Sequence, residues 1–162
     1  MGYYNTAQIC TNGHIITDSY DTSPELRQNF CDKCGAKTII TCPSCNYKIR
    51  GDYEVSNVAF LGSTMSSAPS YCYNCGKPYP WTEASLEAAQ ELLTLENILS
   101  QDELKYFNEN MSSILVDTPK SKIIATQLKL FINKASSVVG STLKDIIVEI
   151  GSETAKKIIL GE

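Results

Sequence analysis

Residues 31–45 read CDKCGAKTIITCPSC, and this stretch decides the fold of the first half of the chain. It contains two Cys-x-x-Cys turns, one at Cys31 and Cys34 and one at Cys42 and Cys45, with seven residues between them. A Cys-x-x-Cys turn presents two sulfurs from one tight knuckle, and two knuckles supply the four ligands of a tetrahedral metal site. The stretch therefore predicts two zinc knuckles joined by a short β-rich segment.

Two further knuckles flank this stretch. Cys72 and Cys75 repeat the Cys-x-x-Cys spacing, and Cys10 with His14 forms a wider turn with three intervening residues. The first motif resembles the third and the second resembles the fourth, so the order is a, b, a′, b′. An internal repeat of this kind predicts two similar structural units in succession.

The repeat predicts that neighbouring knuckles pair, which gives two metal sites. The first site contains Cys10, His14, Cys31 and Cys34, and the second contains Cys42, Cys45, Cys72 and Cys75. A cross-brace would instead join the first knuckle to the third. The seven residues between the second and third knuckles are a wide spacing for a RING-type junction, so sequential zinc ribbons are favoured.

The cysteine count supports metal rather than disulfides. The first ten residues lack the basic and apolar segments of a secretory signal, so the thiols are expected to be reduced. Seven cysteines leave one thiol over, and His14, the only histidine, stands beside the unpaired Cys10. Eight ligands predict two structural Zn²⁺ ions, because four protein ligands at each ion leave no open position.

Other chemistry for the thiols is less well supported. A single Cys-x-x-Cys at a helix start is typical of thioredoxin-like redox sites, whereas this chain has three copies and a fourth half-match. Iron in the all-cysteine second site is chemically feasible.

The chain changes character after Trp81. Residues 1–81 are predicted to form a double zinc-ribbon domain and residues 82–162 an α-helical domain, so the predicted fold class is α+β. Within the helical domain, an acidic helical hairpin over 83–116 precedes Lys-rich amphipathic helices over 119–160.

Local signals place the helix ends. A capping residue followed by helical periodicity marks three helix starts, at Thr82, Ser100 and Thr118. Gly140 and Gly151 punctuate the last segment, which predicts two short helices or one long interrupted helix.

The motifs resemble those of a family of uncharacterised bacterial double-zinc-ribbon proteins. The resemblance rests on CTNGH at 10–14, FCDKCGAKT at 30–38, CPSC at 42–45 and CGKPYPWT at 75–82. It is strongest over roughly residues 7–82 and weaker near Thr118 and the Lys-rich end. The family implies the fold, the metal ligands and a bacterial cytoplasmic origin, but no activity.

A non-enzymatic adaptor or scaffold for a protein partner is the favoured function. The sequence offers no second histidine as a base, no phosphate-binding glycine loop and no nucleophile motif. Nucleic-acid binding is the main alternative, since Lys and Tyr residues lie near the knuckles. However, residues 1–81 hold six basic and six acidic residues, which leaves little net charge to neutralise phosphates.

Surface hypotheses concern two regions. Tyr79 and Trp81 are candidate partner contacts, although Trp81 is favoured as a residue that docks the first helix onto the second ribbon. The Lys-rich helices could bind an anionic membrane surface or mediate homo-oligomerisation, and packing against the acidic hairpin is favoured over membrane binding. No apolar run in the sequence approaches the length of a transmembrane span.

Overall fold

The computed structural model describes residues 1–59 and 62–162 of the chain. These residues form two compact units, Met1–Glu83 and Ala84–Glu162. The first unit contains short antiparallel strands, and every regular element of the second is helical. The predicted α+β class is therefore confirmed, and the two compact units meet between residues 83 and 84.

Two small antiparallel sheets build the first unit. One pairs β1 (Gly2–Thr6) with β5 (Arg50–Val55). In the other, β2 (Gln8–Cys10) lies between β3 (Ile15–Thr17) and β4 (Thr38–Ile39). Because β1 precedes the first knuckle and β5 follows the third, the opening strand of the chain ties the two ribbons together. The internal repeat does not predict this pairing.

Both ribbons share one small core. Ile9 of the first ribbon and Ile49 of the second are fully buried in the same cluster. The other buried members of this cluster are Ala7, Cys42, Cys72, Tyr79 and Trp81. A core with so few large aliphatic side chains leaves much of the stability of this unit to a bound metal.

The second unit is a packed group of helices. They are α1 (Pro80–Thr94), which begins in the first unit, α2 (Gln101–Asn110), α3 (Pro119–Lys134), α4 (Ser137–Ile150) and α5 (Glu153–Leu160). Together with a 3₁₀ helix over Met111–Leu115, their buried faces form a separate core that contains Leu93, Ile114, Ile124, Leu128, Leu143 and Ile147. None of the helices in the described residues is both long and apolar enough to cross a membrane.

Two of the three predicted helix starts are confirmed. Ser100 accepts a hydrogen bond from the N–H of Glu103 in a capping box, and Thr118 forms a second capping box at the start of α3. The prediction for Thr82 is wrong, because α1 begins at Pro80 and Thr82 lies buried in its first turn. Proline suits the first helical position, since its missing N–H needs no partner there.

The chain does not break at Gly140. This glycine lies inside α4, and the break precedes the helix, where Ser136 is the N-cap. A Cβ added at Gly140 would lie 2.9 Å from the carbonyl oxygen of Ile132. Glycine therefore lets α4 pass close to the backbone of α3, whereas Gly151 does end α4 as predicted.

Candidate metal centres

Three of the four knuckles share one backbone geometry. In each Cys-x-x-Cys turn the N–H of the first cysteine donates to the carbonyl five residues later, at 2.8 Å in all three cases. The residue after the second cysteine has a positive φ, which is 72° at Gly35, 59° at Asn46 and 73° at Gly76. Glycine and asparagine adopt this left-handed region most readily, so the turn determines the residue type.

The first knuckle turns differently because it is one residue longer. The N–H of Cys10 donates to the carbonyl of His14 at 3.0 Å, and Gly13 has a φ of 89°. A Cβ added at Gly13 would lie 3.0 Å from Cβ of Trp81. Gly13 therefore both permits the turn and leaves room for the tryptophan.

The first and second knuckles meet in one cluster, called site 1. The ligand atoms of Cys10, His14, Cys31 and Cys34 all lie within 4.8 Å of one another. The Cys10 and Cys34 sulfurs are 3.8 Å apart. The Nδ1 atom of His14 lies 3.5 Å from Sγ of Cys10 and 3.6 Å from Sγ of Cys31.

The third and fourth knuckles form the second cluster, called site 2. The sulfurs of Cys42, Cys45, Cys72 and Cys75 again lie within 4.8 Å of one another. Cys42 Sγ is 3.8 Å from Cys75 Sγ, and Cys45 Sγ is 3.7 Å from Cys72 Sγ. Neighbouring knuckles are thus grouped together, as in sequential ribbons and unlike a cross-brace.

These separations match the edges of a tetrahedron around a metal ion. With metal–sulfur bonds of about 2.3 Å, two sulfurs at tetrahedral corners are about 3.8 Å apart. A nitrogen ligand at about 2.0–2.1 Å from the metal lies about 3.5 Å from each sulfur. The sulfur–sulfur distances of 3.7–3.8 Å given for the two clusters and the sulfur–nitrogen distances of 3.5–3.6 Å at site 1 agree with these values. All of them far exceed a disulfide bond length of about 2.0 Å.

At site 1 hydrogen bonding favours the thiolate form of Cys34, whereas burial raises the pKa of Cys10. The backbone N–H of Ala36 and then the side-chain amide of Asn12 lower the pKa of Cys34 to about 6. The thiolate is the form of cysteine that binds metal.

Site 2 shows why a cation belongs among its sulfurs. Although burial opposes ionisation of Cys72, the backbone N–H groups of Cys75 and Asn74 lower its pKa to about 6. The N–H of Lys77 acts in the same direction on Cys75, but burial and the adjoining Cys45 and Cys72 sulfurs raise the pKa of that thiol to about 11. Adjacent thiols compete for ionisation in this way, and a divalent cation removes the competition.

Two asparagines that the sequence analysis did not single out support the clusters. Asn12 Nδ2 donates to Cys34 Sγ at 3.4 Å, and Asn74 Nδ2 donates to Cys45 Sγ at 3.7 Å. Each lies two residues after the first cysteine of its own knuckle and reaches a sulfur on the facing knuckle. The shared spacing was visible in the sequence, but only the fold shows where the amides point.

Tyr79 and Trp81 lie inside the first unit. Tyr79 is 1% exposed and Trp81 is 9% exposed, and their rings stack with centroids 4.8 Å apart. Trp81 Nε1 donates to the carbonyl of Pro69 at 2.9 Å, while Gly13 of the first ribbon lies against its ring. Burial argues against the partner-contact hypothesis for both side chains. The start of α1 is thus docked by residues of both ribbons, not of the second alone.

The chain belongs to the bacterial family DUF2321, described as an uncharacterized protein conserved in bacteria, whose family model matches residues 3–159. The match includes both clusters and nearly all of the helical half, so the resemblance seen in the sequence motifs is confirmed. Comparisons with curated proteins and with solved structures find no match.

Proposed function

We propose that this member of the family is a non-enzymatic interaction module whose first unit is held together by two structural zinc ions. The observation that supports it best is the closure of both sites: each cluster supplies four ligand atoms from the chain. A four-coordinate site of this kind has no position left for water or substrate, which is typical of structural zinc.

Thiolate and imidazole ligands select zinc among common metals. Three sulfurs with one nitrogen suit Zn²⁺ at site 1, and four sulfurs suit either Zn²⁺ or iron at site 2. Zinc needs no redox partner and accepts both ligand sets. One metal therefore accounts for both sites.

An adaptor role is supported by the use of the histidine and cysteine side chains of the first unit as structural metal ligands. Its single histidine and all seven cysteines belong to the two clusters, so these side chains are committed as ligands and do not serve as bases or nucleophiles. The cytoplasm of the bacterium is the proposed location, because thiolate sites persist in a reducing compartment.

Elemental analysis of purified chain tests the metal content. We expect about two zinc per chain, and cobalt substitution should give the visible bands of one all-thiolate site and one site with an imidazole. His14→Ala should remove only the second type of band, and Cys75→Ser should weaken only the first. A content near one or zero zinc in undamaged protein would contradict the proposal.

Affinity purification from the native bacterium tests the adaptor role. Wild-type chain should retain a protein in a fixed ratio, and Cys75→Ser, which damages site 2, should release it if the partner binds the zinc-dependent unit. Recovery of nucleic acid without protein would favour the nucleic-acid alternative instead.

A further inference from the structure

An exposed row of aromatic rings crosses the side of the first unit formed by β1, β5 and site 2. Tyr4 and Tyr53 pack with ring centroids 4.8 Å apart, and Tyr47 meets Tyr73 edge-on at 5.4 Å. Arg50 joins the two pairs, because its guanidinium carbon lies 4.3 Å from the Tyr4 centroid and 4.0 Å from the Tyr73 centroid. These five side chains are called the tyrosine–arginine face, and its rings are 45–51% exposed.

The metal site and the tying strand position this face together. Tyr73 lies inside the turn between two ligands of site 2, and Tyr47 follows another ligand by two residues. Tyr4 and Tyr53 are direct partners across the β1–β5 pair. At Gly2 a side chain would clash with the Tyr53 ring, so glycine leaves space for that tyrosine. The face thus requires both site 2 and the β1–β5 pair.

Arg50 presents an unused hydrogen-bonding edge. Two rings lie against its guanidinium, yet across residues 1–59 and 62–162 no carboxylate pairs with it and no oxygen accepts from it. The other arginine, Arg27, also lies on a ring, at 4.2 Å from the centroid of Tyr20. However, its Nε and Nη2 donate to the Tyr20 carbonyl at 2.9 and 2.7 Å. Arg27 is satisfied within the chain, whereas Arg50 is oriented without an acceptor.

The surroundings of Arg50 suit an anion. A cavity of about 430 Å³ beside it is lined by tyrosine rings, amides, Lys48 and Arg50, and none of its lining residues in the described chain is acidic. A carboxylate matches the planar guanidinium fork with two parallel hydrogen bonds. Contact with the Tyr4 and Tyr73 rings holds that fork in place before the ligand arrives, which lowers the entropy cost of binding.

Charge decides between a protein segment and a nucleic-acid strand. Lys48, the second cation at the cavity, already pairs with Asp21 at 3.6 Å, so among the described residues one open cation remains at this face. A nucleic-acid strand presents a phosphate at every nucleotide and needs several cations along its path. A protein segment needs only one carboxylate at Arg50, and its apolar groups can cover the rings. Tyrosine and arginine are also enriched among the residues that dominate protein interfaces.

We propose that the tyrosine–arginine face binds a protein segment that presents one Asp or Glu carboxylate between aromatic or proline residues. Arg50 binds the carboxylate, and the tyrosine rings pack against the flanking side chains. The inference rests on the proposed function as an interaction module and names the surface and the partner chemistry that such a module uses.

Peptides selected on the protein itself provide the probe. A random dodecapeptide phage library is selected on zinc-loaded full chain, and enriched peptides with blocked termini are measured by fluorescence anisotropy. We expect an acidic residue flanked by aromatic residues or proline. Glu→Gln in the peptide and Arg50→Lys in the protein should each weaken binding by about tenfold or more. The two changes together should weaken it little further than either alone, because they remove the same contact.

Arg27→Lys is the matched control, since it alters the other ring-stacked arginine and should leave the affinity unchanged. The chain has only two arginines, so the NMR spectrum of arginine Nε–H groups contains one signal from each. Peptide binding should shift the Arg50 signal and leave the Arg27 signal in place. Cys75→Ser should abolish binding because it dismantles the knuckle that holds Tyr73.

Several results would overturn the inference: failure to enrich peptides, enriched peptides without an acidic residue, equal affinity of Arg50→Lys, or an Arg50-dependent preference for a uridine octamer over the peptides. Zinc analysis of the same samples separates the two proposals. If protein that holds two zinc ions binds the peptides equally well without Arg50, only the proposed recognition surface is contradicted. If the purified protein holds no zinc, the proposed function itself is contradicted.

Discussion

At the scale of the residue, Gly13 has two roles that can be measured separately: it adopts a positive φ, and it leaves room for the Trp81 side chain. Gly13→Ala and Gly35→Ala both place alanine in the left-handed region, at a cost of about 1–2 kcal/mol. Only Gly13→Ala also crowds Trp81, since a Cβ at Gly35 meets nothing within 4 Å. We expect Gly13→Ala to lower the free energy of unfolding of the first unit by about 1–3 kcal/mol more than Gly35→Ala. Urea unfolding followed by Trp81 fluorescence measures both, and equal losses would show that the tryptophan yields without cost.

The hydrogen bonds that the Asn12 and Asn74 side chains donate to ligand sulfurs give a second prediction at this scale. Asn12→Ala should weaken zinc binding at site 1 by about tenfold, as loss of a hydrogen bond to a ligand commonly does. Asn74→Ala should have a smaller effect at site 2, because its amide is 3.7 Å from the sulfur rather than 3.4 Å. Competition with a chromophoric chelator gives both affinities. A larger effect at Asn74 would mean that the distance does not set the contribution.

At the scale of the element, we expect the substitution Gly140→Ala in α4 to lower stability, although helix propensity alone predicts an increase. Alanine is favoured over glycine by about 1 kcal/mol inside a helix, yet Gly140→Ala should destabilise the second unit. The new Cβ would lie 2.9 Å from the Ile132 carbonyl, which is backbone and cannot swing aside. Ser141→Ala, at the next and exposed position of α4, is the control and should leave the melting temperature nearly unchanged or raise it. A rise with Gly140→Ala would show that α3 and α4 can separate slightly.

The knuckles were predictable from sequence because each one is local. Four ligand pairs at fixed spacing, with glycine or asparagine at the turn, define the turn without knowledge of the rest of the chain. The β1–β5 pair was not predictable, since Gly2 and Val55 lie far apart in sequence and their pairing depends on the completed fold. Gly140 misled for a related reason: its role depends on Ile132, a neighbour in space, whereas local propensity indicated a helix end.

The exposed arginine marks the limit of prediction at the candidate sites. Sequence alone places Arg50 near aromatic residues and a knuckle, but Arg27 also lies close to a tyrosine. The two arginines are distinguished only by the hydrogen bonds that Arg27 donates to the carbonyl of Tyr20, which satisfy its guanidinium, whereas the donors of Arg50 are left without an acceptor in the described chain. This difference depends on the orientation of the side chains, which cannot be predicted from the spacing of residues in the sequence.

At the scale of the whole molecule, the two units should respond differently to metal removal. The first unit has a small core and two clusters of ligands, whereas the second has its own aliphatic core without them. Chelation at mildly acidic pH should therefore unfold residues 1–83 and preserve most of the helical circular dichroism. Trp81, the only tryptophan, reports on the first unit, and its fluorescence should shift to longer wavelength. Restoring zinc should reverse the change, and a simultaneous loss of helix signal would show that the second unit also needs the metal.

The pairing of β1 with β5 fixes an order of events while the chain is being made. Gly2 leaves the ribosome before its partner Val55 and the ring of Tyr53, which follow only after three of the four knuckles have emerged. The ligands of site 1 are complete by Cys34, so that metal can be captured while β1 is still unpaired. A change that weakens the pairing of β1 with β5 would then disturb a late step, the joining of two ribbons, more than the early loading of site 1.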